Sequence, residues 1–197
     1  MSRYLALRDR RLKGGVPARD RLYIINTDGT TPLARAFNEI NATVRYAGAF
    51  HTMFVFCHGY AGTNPRGLVS MDCGGQGLEL GAESVLHRNV AMWSAIKNQV
   101  QHIVIYACAA ANTLPDNFGT KYDGRYLMGA LAIHTGAHVY AADLIQWYSR
   151  YGGLTNGRFM FRDWEGQLWY FPPSGDYPEV VSAPPVEFSD VMLASTP

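Results

Sequence analysis

Two apolar stretches decide the fold of this chain: Met53–Cys57 (MFVFC), which runs into His58-Gly59, and His102–Ala107 (HIVIYA), which runs into Cys108. The first stretch is apolar at every residue, and the second is apolar at every residue after its opening histidine. Continuous apolar runs of this length are typical of strands that are covered on both faces of a parallel sheet. We therefore expect two buried strands, each ending at a residue that can do chemistry.

Segments with helical spacing alternate with these strands. Leu86, Val90, Trp93, Ile96 and Val100 are spaced as one face of a helix, which predicts a helical connection between the two apolar stretches. Strand and helix patterns alternate elsewhere as well: strand Arg21–Asn26, a helix carrying Leu33, Phe37, Ile40 and Val44, a helix near Tyr126–Thr135, and strand Ala137–Ala142. This alternation predicts an α/β fold, a single-domain and mostly parallel sheet with helices on both faces.

The two ends of the chain differ from this middle part. Residues 1–20 carry five arginines and several helix breakers, which predicts a basic, solvated N-terminal arm before a domain spanning 21–173. Aromatic segments Arg158–Trp164 and Gln167–Phe171 flank Glu165-Gly166, and this pattern is typical of a C-terminal β-hairpin. Residues 174–197 are rich in proline and lack periodicity, so they are expected to wrap the surface or to be disordered.

Composition and charge narrow the function classes. The chain has 197 residues, of which 48% are hydrophobic, 13% aromatic and 17% charged, so it has enough apolar material for a core. The net charge of +1 provides no overall field for nucleic acid or for an anionic membrane. No apolar run approaches the ~20 residues of a membrane span, and the first residues do not resemble a signal peptide. We expect a cytoplasmic protein, or an effector delivered by a route that needs no signal peptide.

The cysteines are expected to be thiols. Cys57, Cys73 and Cys108 are odd in number and widely spaced, unlike the cysteines of a disulfide scaffold. Cys57 lies inside a strand and Cys73 in a glycine-rich loop, so both are interpreted as structural. Cys108 differs because it follows a buried strand directly.

His58 and Cys108 are expected to lie at one edge of the sheet. A right-handed helical crossover between two parallel strands brings their carboxyl ends to the same edge, where ligands of α/β proteins usually bind. An imidazole beside a thiol can take its proton and later protonate a leaving amine. The N–H groups of Gly59 and Cys108 could then bind the oxyanion of a tetrahedral intermediate.

The same residues resemble a known family, the caspase-like (clan CD) cysteine peptidases. Its hallmark is an apolar strand ending in His-Gly and a later apolar strand ending in a small residue and Cys, as in Phe54–Gly59 and Ile103–Cys108 here. The chain departs from individual branches, because Tyr106 replaces the caspase glutamine and Ala109-Ala110 follows the cysteine. The resemblance implies a cysteine endopeptidase that acts on proteins or peptides through a thioester acyl-enzyme, with Cys108 as nucleophile and no metal or organic cofactor.

The resemblance also implies where the substrate residue before the scissile bond is held. In the family this pocket draws on the strand that follows the post-cysteine helix, which here ends at Asp143. The loop after Cys108 adds Asp116 and Asp123. Acidic residues at these positions predict a preference for Lys or Arg in the substrate, because opposite charges pair strongly when they are desolvated.

Other readings of the sequence remain open. His-Gly after an apolar strand also occurs in α/β-hydrolases, which would make the protein an esterase, although the chain has no Gly-x-Ser-x-Gly nucleophile elbow. A catalytically inactive caspase-like binding module would keep the same fold. Metal sites are not indicated, since neither Cys-x-x-Cys nor His-Glu-x-x-His occurs. The oligomeric state is left open.

Overall fold

Strands and helices alternate along most of the chain. A computed structural model describes residues 2–60, 62–63, 69–70, 74–146 and 163–193. The elements are β1 Tyr4–Asp9, β2 Leu22–Thr27, α1 Leu33–Ala47, β3 Phe50–Phe56, β4 His58–Gly59, β5 Gly62–Thr63, β6 Val69–Ser70, β7 Gly77–Glu79, β8 Val85–Leu86, a 3₁₀ helix Val90–Ile96, β9 Val100–Tyr106, a 3₁₀ helix Pro115–Asn117, α2 Gly124–Thr135, β10 His138–Ala142, β11 Leu168–Phe171, β12 Glu179–Val181 and α3 Phe188–Leu193.

The two apolar stretches form adjacent parallel strands at the centre of one sheet. Seven of the described strands make this sheet, in the order β2-β1-β3-β9-β10-β11-β12. Strands β2, β1, β3, β9 and β10 are mutually parallel, β11 runs antiparallel to β10, and β12 runs antiparallel to β11. Phe54 on β3 pairs with Val104 on β9, so both strands end level with each other. The predicted α/β fold with a mostly parallel sheet is therefore confirmed.

The first face of the sheet carries the main helical layer. Side chains of α1, α2 and the 3₁₀ helix Val90–Ile96 share one apolar cluster with alternate residues of the central strands, and Trp93 is fully buried within it. In α1, Leu33, Phe37 and Ile40 recur at helical spacing on the buried side. Burial of these faces is what stabilises short helices of this kind in a globular protein.

The second face of the sheet is covered by different elements from the first. Its apolar cluster includes Phe54, Phe56 and Tyr106 from the central strands, and Phe188 and Val191 from α3 pack against them. Among the described helices, α3 is thus the one that joins the core of this face. No helix in the described part of the chain combines the length and the apolar character that crossing a bilayer requires.

The prediction of a solvated arm over residues 1–20 is wrong. Residues Tyr4–Asp9 form β1, which lies between β2 and β3, and Leu5, Ala6 and Leu7 are fully buried. The apolar run Tyr4–Leu7 is the sequence pattern that indicates a strand here, but the arginines around it dominate the composition of the segment. Arg3 precedes the strand, Arg8 lies near its end, and Arg10 and Arg11 lie in the following loop.

The predicted helix between the two central strands is replaced by shorter elements. Strand β8 and the 3₁₀ helix Val90–Ile96 cover this region, and β9 begins at Val100. Asn98 adopts a left-handed conformation with φ 61°, which ends the helical path before the strand. Asn89 fixes the preceding turn, because its side chain accepts from the Leu86 N–H at 2.7 Å and donates to the Ser84 carbonyl at 2.8 Å. The predicted apolar spacing is still used by the fold, because Val90, Trp93 and Ile96 are buried on one side of this tighter 3₁₀ helix.

The C-terminal predictions are corrected in part. The first segment of the predicted hairpin, Arg158–Trp164, falls mostly outside the described residues, while Gln167–Phe171 contains β11. The antiparallel partners of β11 are β10 and β12. Residues 174–193 wrap the domain, because β12 extends the sheet and Phe188 is buried in the second face. The sheet therefore extends beyond the predicted 21–173 boundaries at both ends.

Candidate functional site

His58 and Cys108 lie just beyond the carboxyl ends of neighbouring strands. Strand β3 ends at Phe56 and is followed by Cys57 and His58, while β9 ends at Tyr106 and is followed by Ala107 and Cys108. The strand order reverses between β1 and β3, since the chain adds β2 on one side of this pair and β9 on the other. Ligands of open α/β sheets bind outside the carboxyl ends at such a reversal; His58 follows β3, which borders it, and Cys108 follows the next strand along.

Gly59 is in backbone contact with Cys108. A Cβ atom built on Gly59 would overlap the Cys108 carbonyl oxygen and would lie 2.8 Å from the carbonyl carbon and 3.1 Å from the nitrogen. These are backbone atoms, so a side chain at position 59 has no room unless one of the two segments moves. The absence of a side chain at Gly59 is therefore a requirement for bringing the two strand ends together.

The turn after Cys108 is fixed by backbone hydrogen bonds. Ala109 has φ 51°, a left-handed conformation that is unusual for a residue with a Cβ and that is often found at functional sites. Its N–H donates to the Leu144 carbonyl at 2.8 Å, and its carbonyl accepts from the Gly75 N–H at 3.0 Å. The Ala111 N–H donates to the Ala142 carbonyl at 3.0 Å. Cys108 is thus held between the end of β10 and the segment before β7.

The Cys108 thiol is partly accessible and lies under the segment that follows β10. Its Sγ donates to the backbone carbonyl of Gln146, with a sulfur to oxygen distance of 3.6 Å. Burial raises the pKa of the Cys108 thiol, and the negative charge of Glu165 adds to this effect. Backbone hydrogen bonds with Gln146 and Gly59 act in the opposite direction and lower the thiol pKa, but the net pKa is raised. The resting side chain is therefore a thiol.

Cys57 provides a contrast within the same site. It is fully buried, and burial together with the nearby Asp9 carboxylate raises the pKa of its thiol well above the ordinary value. Desolvated thiols of this kind are inert. The structure thus separates the two cysteines by accessibility, as the sequence reading expected.

The His58 ring is exposed and makes one hydrogen-bond contact among the described residues, through Nε2. Its Nε2 lies 3.4 Å from the carbonyl oxygen of Arg11. A carbonyl can only accept, so Nε2 is the donor in this contact. Within the described residues, no hydrogen bond joins the His58 ring to the Cys108 sulfur.

An ion pair between the buried Asp9 carboxylate and the exposed Arg11 guanidinium fixes the loop that carries the Arg11 carbonyl. Asp9 is fully buried at the end of β1, and its Oδ2 accepts from Arg11 Nη2 at 2.8 Å and from the Gly81 N–H at 2.9 Å. Its Oδ1 accepts from the Arg11 Nε at 2.9 Å and from the Arg11 N–H at 3.0 Å. Burial opposes the charge, but these hydrogen bonds outweigh it and the pKa of Asp9 is lowered. Sequence reasoning missed this pair because it treated the segment as an arm.

The three aspartates predicted to bind substrate are placed differently from one another. Asp123 is buried and caps α2, where it accepts from Thr113 Oγ1 at 2.7 Å, the Gly119 N–H at 2.8 Å and the Tyr126 N–H at 3.1 Å. Asp143 accepts from the Gln167 N–H at 2.9 Å and from Trp169 Nε1 at 3.1 Å. Asp116 is exposed in the 3₁₀ helix Pro115–Asn117. The carboxylates of Asp123 and Asp143 are therefore engaged in holding the fold.

Two residues near Cys108 were not singled out from the sequence. Gln146 is buried, and its Nε2 donates to the carbonyls of Leu144 at 3.2 Å and Glu165 at 2.8 Å. It thereby ties the segment after β10 to the segment before β11. Neither Gln146 nor Glu165 belongs to a motif, and the signal that could have found them is their position in the loops after β10, at the same sheet edge as Cys108.

The described residues contain no group of three or more His, Cys, Asp or Glu side chains arranged to hold a metal ion.

Comparison of the chain with models of known protein families finds no match, and comparison with curated proteins finds none either. The function must therefore be inferred from the arrangement of the site itself. That arrangement is a partly accessible thiol, a glycine whose backbone contacts the backbone of Cys108, and an exposed imidazole, all at one sheet edge.

Proposed function

We propose that the protein is a cysteine peptidase with a caspase-like fold, in which Cys108 is the nucleophile and His58 the base. The observation that carries the proposal is the backbone contact between Gly59 and Cys108, because it makes the ends of β3 and β9 a single site. Cleavage by a thiol needs a base, a leaving-group acid and donors for the oxyanion, and residues adjacent to this contact could supply all of them.

In the proposed reaction, His58 Nδ1 takes the proton of the Cys108 thiol as the sulfur attacks the carbonyl carbon of the substrate. The N–H groups of Gly59 and Cys108 stabilise the oxyanion. The tetrahedral intermediate collapses with loss of the amine, which receives the proton from His58, and a thioester remains on Cys108. Water then attacks the thioester, His58 takes its proton, and the sulfur leaves and recovers that proton from His58 as the acid product is released, which regenerates the thiol.

The raised pKa of Cys108 bears on how the thiol is activated. A thiol that donates to the Gln146 carbonyl and bears no ion pair with the imidazole is protonated at neutral pH. Proton transfer to His58 must then accompany substrate binding, when the substrate displaces the Gln146 contact. A base positioned beside its nucleophile contributes about 10²–10⁴-fold to such a step.

The experiment is a digest of a peptide library by the parent chain, by Cys108→Ala and by His58→Ala, with far-UV circular dichroism on each. We expect Cys108→Ala to abolish cleavage and His58→Ala to reduce it by about 10³-fold or more, with folding unchanged. Cys57→Ala is the matched control, because it removes a buried thiol and should cleave at the parent rate if the chain remains folded. Cleavage by Cys108→Ala at the parent rate would refute the dyad.

A second candidate function is a binding module that keeps this site without turnover. The specific observation in its favour is that the thiol pKa is raised rather than lowered and that the sulfur is occupied by Gln146. A peptide-linked acyloxymethyl ketone separates the two, since a catalytic thiol displaces the carboxylate and becomes alkylated. Labelling of Cys108 that depends on His58 supports the peptidase, while an unlabelled Cys108 supports the module.

A further inference from the structure

A short segment after β10 lies against the Cys108 sulfur. Residues 144–146 follow Asp143, and the backbone carbonyl of Gln146 accepts from the Cys108 thiol with a sulfur to oxygen distance of 3.6 Å. We call residues 144–146 the strap. A substrate carbonyl that is positioned for attack lies about 3–3.5 Å from its nucleophile. The strap therefore holds a main-chain carbonyl at almost the distance from the sulfur that a substrate carbonyl needs, and the two compete for the surroundings of the sulfur.

The residue from which the strap extends is firmly fixed. The Asp143 N–H donates to the Gln167 carbonyl at 3.2 Å, and the Asp143 Oδ1 accepts from the Gln167 N–H at 2.9 Å. The other carboxylate oxygen accepts from Trp169 Nε1 at 3.1 Å, and the Asp143 carbonyl accepts from Asn112 Nδ2 at 3.1 Å. Asp143 is thus bonded to β11 and to the turn after Cys108, and it provides a fixed end for the strap.

One side chain makes half of the hydrogen bonds that hold the strap itself. Gln146 Nε2 donates to the carbonyl of Leu144 at 3.2 Å and to the carbonyl of Glu165 at 2.8 Å. Within the described residues, the other two hydrogen bonds of the strap are the sulfur contact and the Ala109 N–H donated to the Leu144 carbonyl at 2.8 Å. Loss of the Gln146 amide would therefore leave only these two.

Apolar packing contributes less to the position of the strap. Leu144 is 45% exposed, and neither Leu144 nor Ile145 belongs to either apolar cluster of the sheet. Gln146, the polar residue of the strap, is instead the buried one, with 6% of its surface exposed. Burying an amide is unfavourable unless it is hydrogen-bonded, so the two bonds of Nε2 are what permit this arrangement.

We propose that the strap closes the Cys108 sulfur in the resting protein and that the side chain of Gln146 is its latch. When the two hydrogen bonds of Gln146 break, the strap pivots at Asp143 and leaves the sulfur open to a ligand. Gln146 is a positioning residue in this device, because it acts on the sulfur through the strap. The proposal concerns access to the sulfur, so it goes beyond the peptidase reaction and applies equally to a thiol that only binds a ligand.

The first test measures access with two neutral methanethiosulfonates, one carrying a methyl group and the other an ethylene glycol oligomer. Peptide mass mapping gives both rates at Cys108, and the ratio of the bulky to the small reagent cancels changes in the thiolate fraction. Gln146→Met keeps the approximate length of the side chain but removes both hydrogen bonds, so the ratio should rise about tenfold or more. Gln167→Met is the matched control, because the exposed Gln167 side chain makes no hydrogen bond within the described residues.

Gly166→Ala displaces the strap from its other side and leaves the latch residue unchanged. A Cβ atom on Gly166 would overlap Asp143 Oδ1 and would lie 2.6 Å from Leu144 Cγ and 2.9 Å from Leu144 Cβ. The strap must therefore shift, and the ratio should rise in this variant as well. Gly129→Ala is its control, since a Cβ there first meets another atom at 4.0 Å. Gly166→Ala decides the outcome if near-UV circular dichroism shows that Gln146→Met does not fold.

A raised ratio in the latch variants together with parent ratios in the controls supports the proposal. An unchanged ratio in folded Gln146→Met, or an equal rise in Gln167→Met, would overturn it. The proposed peptidase function fails separately, if the parent shows no Cys108-dependent cleavage of peptides, and that failure leaves the labelling ratios as they are.

Hydrogen exchange in the parent provides a second measurement that needs no variant. Opening of the strap releases the Ala109 N–H from the Leu144 carbonyl but leaves the Ala111 N–H bonded to the Ala142 carbonyl. Ala109 should therefore exchange faster than Ala111 after correction for intrinsic rates, as expected for a local opening. Gln146→Met should accelerate exchange at Ala109 and leave Ala111 unchanged. Equal protection of the two amides in the parent would show that the strap opens only with the whole fold, which would overturn the latch.

Discussion

At the scale of single residues, the site depends on residue 59 being a glycine, which has no side chain. Gly59 faces the backbone of Cys108 so closely that a methyl group would overlap its carbonyl oxygen. Gly59→Ala must therefore separate the ends of β3 and β9, and we expect a loss of about 1–3 kcal/mol in the free energy of unfolding together with a loss of Cys108 reactivity. Urea unfolding and thiol labelling measure the two effects. Gly129→Ala is the control, because a Cβ there would first meet another atom at 4.0 Å; equal effects in both variants would contradict the argument.

The thiols offer a second residue-scale prediction. Iodoacetamide should modify Cys108 well before Cys57, because Cys57 is fully buried and the pKa of its thiol is raised further by Asp9. Because the pKa of Cys108 is itself raised above 9.0, its labelling rate should keep increasing as the pH passes 9. Peptide mass mapping across pH 6–10 tests this. A rate that levels off near pH 6–7 would indicate a preformed thiolate–imidazolium pair and would contradict the protonated resting state.

At the scale of elements, the end of β1 controls the position of the imidazole. The Asp9–Arg11 pair fixes the loop whose carbonyl bonds His58. Asp9→Asn removes the charged acceptor of the Arg11 side chain and of the Gly81 N–H, and we expect a loss of about 1.5–3 kcal/mol in unfolding free energy at pH 7. The lowered pKa of Asp9 implies stability that is present above its unfolded value of 3.8 and is lost as the pH falls below it. Asn at position 9 should therefore flatten the acid limb of the stability curve, whereas exposed Asp20→Asn should not.

The elements also show what a single sequence can predict. The strands β2, β3, β9 and β10 and the helices α1 and α2 were predictable, because continuous apolar runs and helical spacing are properties of the local sequence. Strand β1 was missed since its four apolar residues are embedded among arginines, although burial of Leu5 and Leu7 decides its structure. The positions of His58 and Cys108 at one edge followed from topology. The positions of Gln146 and Glu165 near Cys108 could not be predicted, because they depend on a contact between two loops that no local sequence pattern encodes.

At the scale of the whole molecule, the C-terminal segment completes the second face of the sheet. Phe188 is buried against Phe56 and Phe54, with ring centroids at 4.9 Å and 5.5 Å, and its N–H donates to the Tyr106 hydroxyl at 3.1 Å. Phe188→Ala should cost about 3–5 kcal/mol by leaving a cavity beneath β3 and β9. Since these strands position His58 and Cys108, thiol labelling should change as well. The exposed Leu193→Ala in the same helix is the control, and equal stability of the two variants would show that the tail does not contribute to the core.

A row of histidines crosses the sheet near the other ends of the strands. The rings of His51, His102 and His138 follow one another at centroid distances of 5.1 Å and 5.2 Å. Burial and the two neighbouring imidazoles lower the pKa of His102 from 6.5 to about 4. Between these two pH values the unfolded chain binds a proton at His102 that the folded chain does not bind. The free energy of unfolding should therefore fall as the pH drops from 6.5 towards 4. His102→Phe should retain more of its neutral-pH stability at pH 5 than the parent in urea unfolding, and His134→Phe on α2 should not; an unchanged pH dependence in His102→Phe would contradict the assignment.

The contact between Gly59 and Cys108 also has a consequence for protein engineering. It joins main chain to main chain, so the spacing of the two strand ends does not depend on which side chain residue 108 carries. Serine or selenocysteine could replace the thiol without changing the scaffold that presents it. Reactivity and placement, which are coupled where side chains hold a site together, become separate variables here, so different side chains at residue 108 can be compared at constant backbone geometry.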